Sequence, residues 1–323
     1  MKIIDFHCDT ISQLYNYRQK GEDINLKNNK LHLDIEKMKK SDYMLQVFAS
    51  YVDLGSNKNP LETCLSHIDL LYKQLEKNKE DISIVYTYND ILENIEKNKL
   101  SALLSIEEGG VCKGNISLLR NFYRLGVRMM TLTWNYENEL SYPNGHFSDE
   151  DKNERKGLKE KGFEFIDEME KLGIIIDVSH LSDDGIYDVY NNTKKPFIAS
   201  HSNARSICAH QRNLTDDMIK KIGERGGIIG VNFYSLFLDN NYKSDDTSKI
   251  EDIINHMKYI SNIGGIDCVG IGSDFDGIEC GLEFENSSNM QLIYHEMKKK
   301  GFNEDEIEKI FYKNALRLFK ELL

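Results

Sequence analysis

The first apolar run of the chain ends on two residues that can do chemistry. Ile3-Ile4-Asp5-Phe6-His7-Cys8-Asp9 sets an imidazole and a carboxylate two positions apart. In an extended segment residues two apart face the same way, so His7 and Asp9 can grip one ion, while Cys8 faces away and reads as packing. A polar side chain at the end of an apolar run recurs four more times. Glu108 follows Leu103-Leu104-Ser105-Ile106-Glu107 and precedes Gly109-Gly110, where the absence of side chains permits a sharp turn. Its two carboxylate oxygens could bridge two ions. His180 closes Ile174-Ile175-Ile176-Asp177-Val178-Ser179, His201 closes Pro196-Phe197-Ile198-Ala199-Ser200, and Asp274 closes Val269-Gly270-Ile271-Gly272-Ser273. Imidazole nitrogens combined with carboxylate oxygens suit zinc or a similar first-row ion. Two such ions about 3.5–4 Å apart polarise a carbonyl and generate hydroxide near neutral pH. A lone His-x-Asp, or a lone histidine after a strand, means little. Three of the nine histidines and three acids at the ends of separate runs mean more. The other histidines (His32, His67, His146, His210, His256 and His295) sit in helical or loop context and read as solvated. Asp276 reads either as a cap of the next helix or as a second acid beside Asp274.

These residues need a frame that brings strand ends together. Eight short apolar runs, at 2–7, 44–50, 100–106, 127–133, 174–178, 196–200, 228–232 and 268–273, alternate with segments of helical period. Amphipathic stretches at 61–77, 115–125, 156–172, 215–223 and 248–263 lie between them, and another, 304–323, ends the chain. Eight βα units fit a closed (β/α)8 TIM-like barrel better than an open doubly wound sheet, which is the alternative. No GxGxxG or Walker loop supports a nucleotide fold. In a barrel all strand C-termini meet one rim, so the six side chains would converge on one funnel. Long polar stretches at 135–151 and 239–247 follow strands, where barrels place their sites. No internal repeat or linker interrupts the pattern, so one barrel domain is expected over residues 1–323.

A net charge of −12, with both signs interspersed, argues against nucleic acid or an anionic membrane as partner. No apolar stretch reaches the roughly 18 residues of a transmembrane helix, and the N-terminus turns polar too quickly for a secretory segment. The six cysteines are scattered without a CxxC pair, the usage of a reducing cytoplasm, so a cytoplasmic location is expected.

At the residues named above the chain resembles the membrane dipeptidase (renal dipeptidase) family of zinc metallopeptidases, of the bacterial cytoplasmic type. The matches run in the family's order from Asp5-Phe6-His7-Cys8-Asp9 through Glu108-Gly109-Gly110, Asp177-Val178-Ser179-His180 and Ser200-His201-Ser202-Asn203-Ala204. They continue through Arg212-Asn213 and Gly272-Ser273-Asp274-Phe275-Asp276-Gly277 to Asn314-Ala315-Leu316-Arg317-Leu318-Phe319. The resemblance implies a (β/α)8 barrel of the metallo-dependent hydrolase type. It implies two zinc ions, with His7 and Asp9 on one, His180 and His201 on the other, and Glu108 bridging them. It implies that Arg212 holds the carboxylate of a dipeptide and that Asp274 acts as acid and base. A guanidinium fork suits a carboxylate in a way a lysine does not. One departure stands out. Animal members carry a histidine after the Thr-Leu-Thr run, where this chain has Trp134, followed by Asn135. Indole donates one hydrogen bond and cannot become cationic. A donor lost from a developing oxyanion costs about 2.7–4 kcal/mol, so either Trp134 or a neighbour such as Asn135 contacts the substrate in its place, or the substrate is positioned differently. The resemblance also leaves a homodimer open, although no stripe reads as an interface.

The expected activity is dipeptide hydrolysis by a metal-bridging hydroxide, without a covalent intermediate. Neither a GxSxG elbow nor a Cys-His nucleophile pair is evident. Two competing readings remain at this level. One is an amidohydrolase-like barrel acting on another small amide, lactone or ester. The other is a metal- or metabolite-binding relative without turnover.

Overall fold

The computed structural model describes residues 1–145, 156–241, 243 and 247–323. Eight parallel strands close into a barrel. They are β1 (Ile3–Asp5), β2 (Tyr43–Tyr51), β4 (Leu100–Glu107), β5 (Val127–Thr131), β6 (Ile175–Asp177), β7 (Ile198–Ala199), β8 (Ile228–Val231) and β10 (Val269–Ile271). Each pairs with the next around the ring, β10 lies between β8 and β1, and β2 closes on β4 in a register running from Leu45↔Ser101 to Tyr51↔Glu107. All eight runs expected from the sequence are these strands. A strand not expected, β3 (Ile82–Ile84), pairs with Leu100–Ala102 below the point where β5 joins β4. β9 (Thr247–Ser248) and β11 (Gly281–Leu282) form a separate two-stranded ribbon.

The strands read as unbroken apolar runs because both of their faces are covered, as in parallel sheets generally. Ile4, Phe6, Leu45, Val47, Leu103, Met129, Ile175, Ile198 and Ile228 pack as one cluster with Ala315, Leu318 and Phe319 of the last helix, Asn314–Leu322. These residues fill the barrel interior and its base, with the Phe6 and Phe319 ring centroids 5.6 Å apart. Side chains of opposite parity, such as Phe48, Leu104, Ile106, Ile176 and Val231, join the larger cluster beneath the surrounding helices. The expected final helix is broken into Glu304–Glu308, a wider π turn at Lys309–Lys313, and Asn314–Leu322, with Asn303 and Glu306 forming a capping box at its start. A helix the sequence did not announce, Thr10–Gln19, follows the His7/Asp9 segment directly.

Two of the histidines expected to be solvated are buried. His67 lies in helix Pro60–Lys77 with Nδ1 3.2 Å from Ser50 Oγ. His256 lies in helix Ile250–Gly264, where Nδ1 accepts from Ala204 N at 3.0 Å and Nε2 lies 3.1 Å from Leu238 O. Burial pushes both imidazoles down to about 4. His295 is exposed, His32 and His210 are partly so, and His146 lies outside the described residues. So do 146–151, 242 and 244–246 of the two long stretches expected as loops; residues 135–145 carry no helix or long strand. No helix among the described residues is long and apolar enough to cross a membrane.

Candidate metal-dependent active site

At the C-terminal rim the strand ends deliver six side chains to one point. His7 Nε2 lies 3.1 Å from Glu107 Oε2, 3.4 Å from Asp9 Oδ2 and 3.9 Å from Asp274 Oδ1. Glu107 Oε1 lies 3.1 Å from His180 Nε2 and 3.5 Å from His201 Nε2, and these two nitrogens are 3.0 Å apart. His7, Asp9, His180, His201 and Asp274 therefore converge as the sequence led us to expect.

The bridging acid differs from expectation. Glu107, not Glu108, stands among the histidines. Side chains alternate along β4, and Glu107 shares the parity of Leu103, which faces the barrel interior. Glu108 is the next residue, at φ 110°, where the chain leaves the strand. Its carboxylate turns into the protein and accepts from Gly110 N at 2.6 Å, Asn138 Nδ2 at 2.5 Å and Trp134 N at 3.0 Å. Burial pushes it up to about 7. Glu108 thus shapes the loop carrying Trp134 and does not reach the cluster.

Two of the three imidazoles are aimed by a partner behind the ring. His201 Nδ1 lies 2.7 Å from Ser200 Oγ, which donates to Asp177 Oδ2 at 2.6 Å, so the ring nitrogen donates and Nε2 keeps its lone pair for the centre. Asn135 Oδ1 lies 2.9 Å from His180 Nδ1 and does the same for that ring. Asn135 is thereby a positioning residue for His180. Asp5 instead holds the backbone at the end of β1, accepting from His7 N, Ser273 N and Ser273 Oγ. His180 (φ 67°) and Asp274 (φ 61°) adopt left-handed backbone that is rare outside glycine, the local strain common where side chains are re-aimed at sites.

The charges are those of a cation site. Burial alone would raise the Glu107 carboxyl, but the imidazoles against it hold it well below the usual carboxylate range. Burial and then Glu107 push Asp9 up to about 6, and burial pushes Asp274 up to about 7. Burial would lower His7, yet Glu107 and Asp9 raise it well above its ordinary value. His180 is pushed down to about 4 and His201 well below its ordinary value, both chiefly by burial. His7 Nδ1 and Nε2 and Asp9 Oδ1 are buried without a hydrogen-bond partner, a costly arrangement for polar atoms. His7, Glu107 and His201 form one group of potential ligands within 4.8 Å of one another, and His7, Asp9 and Asp274 form another. The residues present therefore fit divalent metal.

The cluster opens into a cleft of about 370 Å³, lined on one side by Asp9, Gln13, Gly277 and Glu279 and on another by Tyr234 and Phe237. Tyr51 and Trp134 form an aromatic wall with ring centroids 4.9 Å apart. Arg212 lies behind this lining, 4% exposed, bonded to Ser202 Oγ at 2.7 Å and His201 O at 3.0 Å, with its Nε unpaired. Asp274 Oδ2 accepts from Asn232 Nδ2 at 2.9 Å. Asp276 is bound elsewhere, by Thr10 Oγ1 and His32 N, both at 2.6 Å, so it is no rival to Asp274. Sequence reasoning missed Glu107, Gln13, Tyr51, Asn232, Tyr234 and Glu279. The parity of β4 could have found Glu107; the loop residues left no comparable trace.

The chain is similar over most of its length to known dipeptidases. An uncharacterized dipeptidase of Schizosaccharomyces pombe is 31% identical over 346 residues, covering 99% of this chain and 80% of its own. A dipeptidase of Aspergillus oryzae is 28% identical over 300 residues, covering 90% of this chain and 70% of its own. The fold superposes on a crystal structure of a Rhodobacter sphaeroides metallopeptidase liganded with a phosphinate mimic of the dipeptide L-Ala-D-Ala, with a TM-score of 0.91, 23% identity, and coverage of 100% of this chain and 99% of that one. The model of the membrane dipeptidase family, peptidase family M19, matches residues 1–322, and the chain belongs to that family.

Proposed function

We propose that the protein hydrolyses the amide bond of dipeptides at a centre of two divalent ions, most simply zinc, held by His7, Asp9, Glu107, His180 and His201. The observation that carries this reading is the convergence of those five side chains, with orphaned nitrogen and oxygen atoms, at the floor of a cleft of dipeptide size. When bound, the ions supply Lewis acidity and lower the pKa of an attacking water. Glu107, with an imidazole against each of its oxygens, would be the carboxylate shared by the two ions. Arg212 has a buried, unpaired Nε and the fork geometry to hold the free carboxylate of the substrate. Asp274, pushed up to about 7 in the metal-free protein, can accept a proton and return it to the departing nitrogen, with Asn232 fixing its other oxygen. Trp134 and Tyr51 wall the cleft and exclude water from the reacting carbonyl. The six cysteines are free thiols, five of them buried, which fits a reducing, cytoplasmic compartment.

The test is amine release from L-L and L-D dipeptides by chelator-stripped protein, with and without added Zn²⁺. Activity that returns with about two ions per chain, and only on substrates with a free carboxylate, is the expected result. Two bound ions with turnover of lactones or esters but of no dipeptide would overturn the assignment in favour of another barrel hydrolase.

A further inference from the structure

One acidic residue of the cleft has no part in the chemistry above. Glu279 lines the mouth, is exposed, and forms no ion pair or hydrogen bond among the described residues. Its surroundings place it at a particular end of the substrate. Arg212 stands 5.8 Å from the Phe237 ring, so a carboxylate held there occupies the side of the cleft formed after β8 by Tyr234 and Phe237. The amino-terminal residue then lies on the side built from β1, β2 and β10. That side is tied together through Ser12 and Gln13. Ser12 Oγ accepts from Tyr51 N at 3.0 Å, and Gln13 Nε2 donates to Asp276 O at 3.1 Å, three residues before Glu279. Gln13, which spends one of its two amide N–H groups on this bond, also lines the cleft. Tyr51 adds an aromatic ring packed edge-on to Trp134. No lysine or arginine lines the cleft among the described residues.

We propose that this side of the cleft is a subsite for a cationic side chain on the amino-terminal residue of the dipeptide, with Glu279 as its counter-ion. An unpaired carboxylate beside aromatic faces, with no cation in the lining, matches a guanidinium or ammonium and repels an anionic side chain. The inference rests on the dipeptidase reading and names the substrate class of that site.

The test compares kcat/KM for Arg-Ala and citrullinyl-Ala, which are nearly isosteric and differ in charge, using zinc-loaded wild-type protein and Glu279→Gln. The expected result is a preference of about tenfold for Arg-Ala in the wild type, falling to less than threefold in the variant. A ratio near one in the wild type, with both dipeptides hydrolysed, overturns the subsite and leaves the dipeptidase reading standing. An equal loss on both substrates in the variant also overturns it, because Glu279 would then serve the α-amine that both share. Failure of the wild type to hydrolyse any dipeptide overturns the reading and the subsite together.

Discussion

Glu107 and Glu108 are neighbours of one residue type with opposite duties. Glu107 meets three imidazoles, whereas Glu108 accepts from two backbone N–H groups and one side-chain amide. Glu107→Gln should lose at least half the bound metal and more than 100-fold in kcat/KM, with a thermal midpoint in chelator close to that of the wild type. Glu108→Gln should do the reverse, retaining metal while losing about 1–3 kcal/mol of stability, because an amide nitrogen replaces one acceptor oxygen. Metal content and chelated melting curves on the two variants decide the matter; metal loss confined to Glu108→Gln would refute it. Gly277 is a second test of the rim. A Cβ there would overlap Asp9 Oδ2 and Asp274 Oδ1, the mobile ends of side chains, so the carboxylates and not the backbone would give way. Gly277→Ala should therefore fold normally and lose at least 100-fold in kcat/KM; unimpaired turnover would show that those carboxylates need not hold their positions. His7, Asp9, His180, His201 and Asp274 were readable in the sequence because each follows an apolar run. The neighbouring acid was misassigned because the adjacent glycines drew attention to Glu108, while the deciding fact was the two-residue alternation that starts at Leu103.

At the scale of elements, the helix Ile250–Gly264 carries a buried neutral histidine. His256 has a folded value of about 4 against an ordinary 6.5. A depressed value means that the unfolded chain binds the proton first, so the stability is complete above 6.5 and is lost as pH falls toward 4. Between pH 7 and pH 5 the metal-free wild-type protein should lose about 2 kcal/mol more than His256→Gln. Urea titrations in chelator at the two pH values measure the difference, and parallel losses would contradict it. His256 and His67 were both read as solvated from residue type alone, although Ile253 and Ile260 for the one, and Cys64 and Leu71 for the other, place each on the apolar face of its helix. The eight barrel strands were visible because burial on both faces writes them as apolar runs. β3 escaped because Ile82-Ser83-Ile84 is too short to stand out, and helix Thr10–Gln19 because its composition is mostly polar.

The whole molecule is a barrel closed at one end. Phe319, fully buried, packs on Phe6 beneath the filled interior. Phe319→Ala should cost about 3–5 kcal/mol while leaving the number of metals per folded chain unchanged, as calorimetry and elemental analysis on the same sample would reveal. Loss of metal from the folded variant would mean that base and rim are linked more closely than packing alone requires. The plugged base also governs traffic. Among the described residues the cleft opens past Tyr51, Trp134 and Glu279, and substrate and products would pass this way. In the proposed binding mode the amino acid anchored by its carboxylate on Arg212 would be the last to depart, and until it goes no new dipeptide could be seated. Free amino acid matching the C-terminal residue should accordingly inhibit competitively, and the one matching the N-terminal residue far less. In a cell, such an enzyme would slow as its own harvest accumulates, so its throughput would depend on how quickly its surroundings draw the released amino acids away.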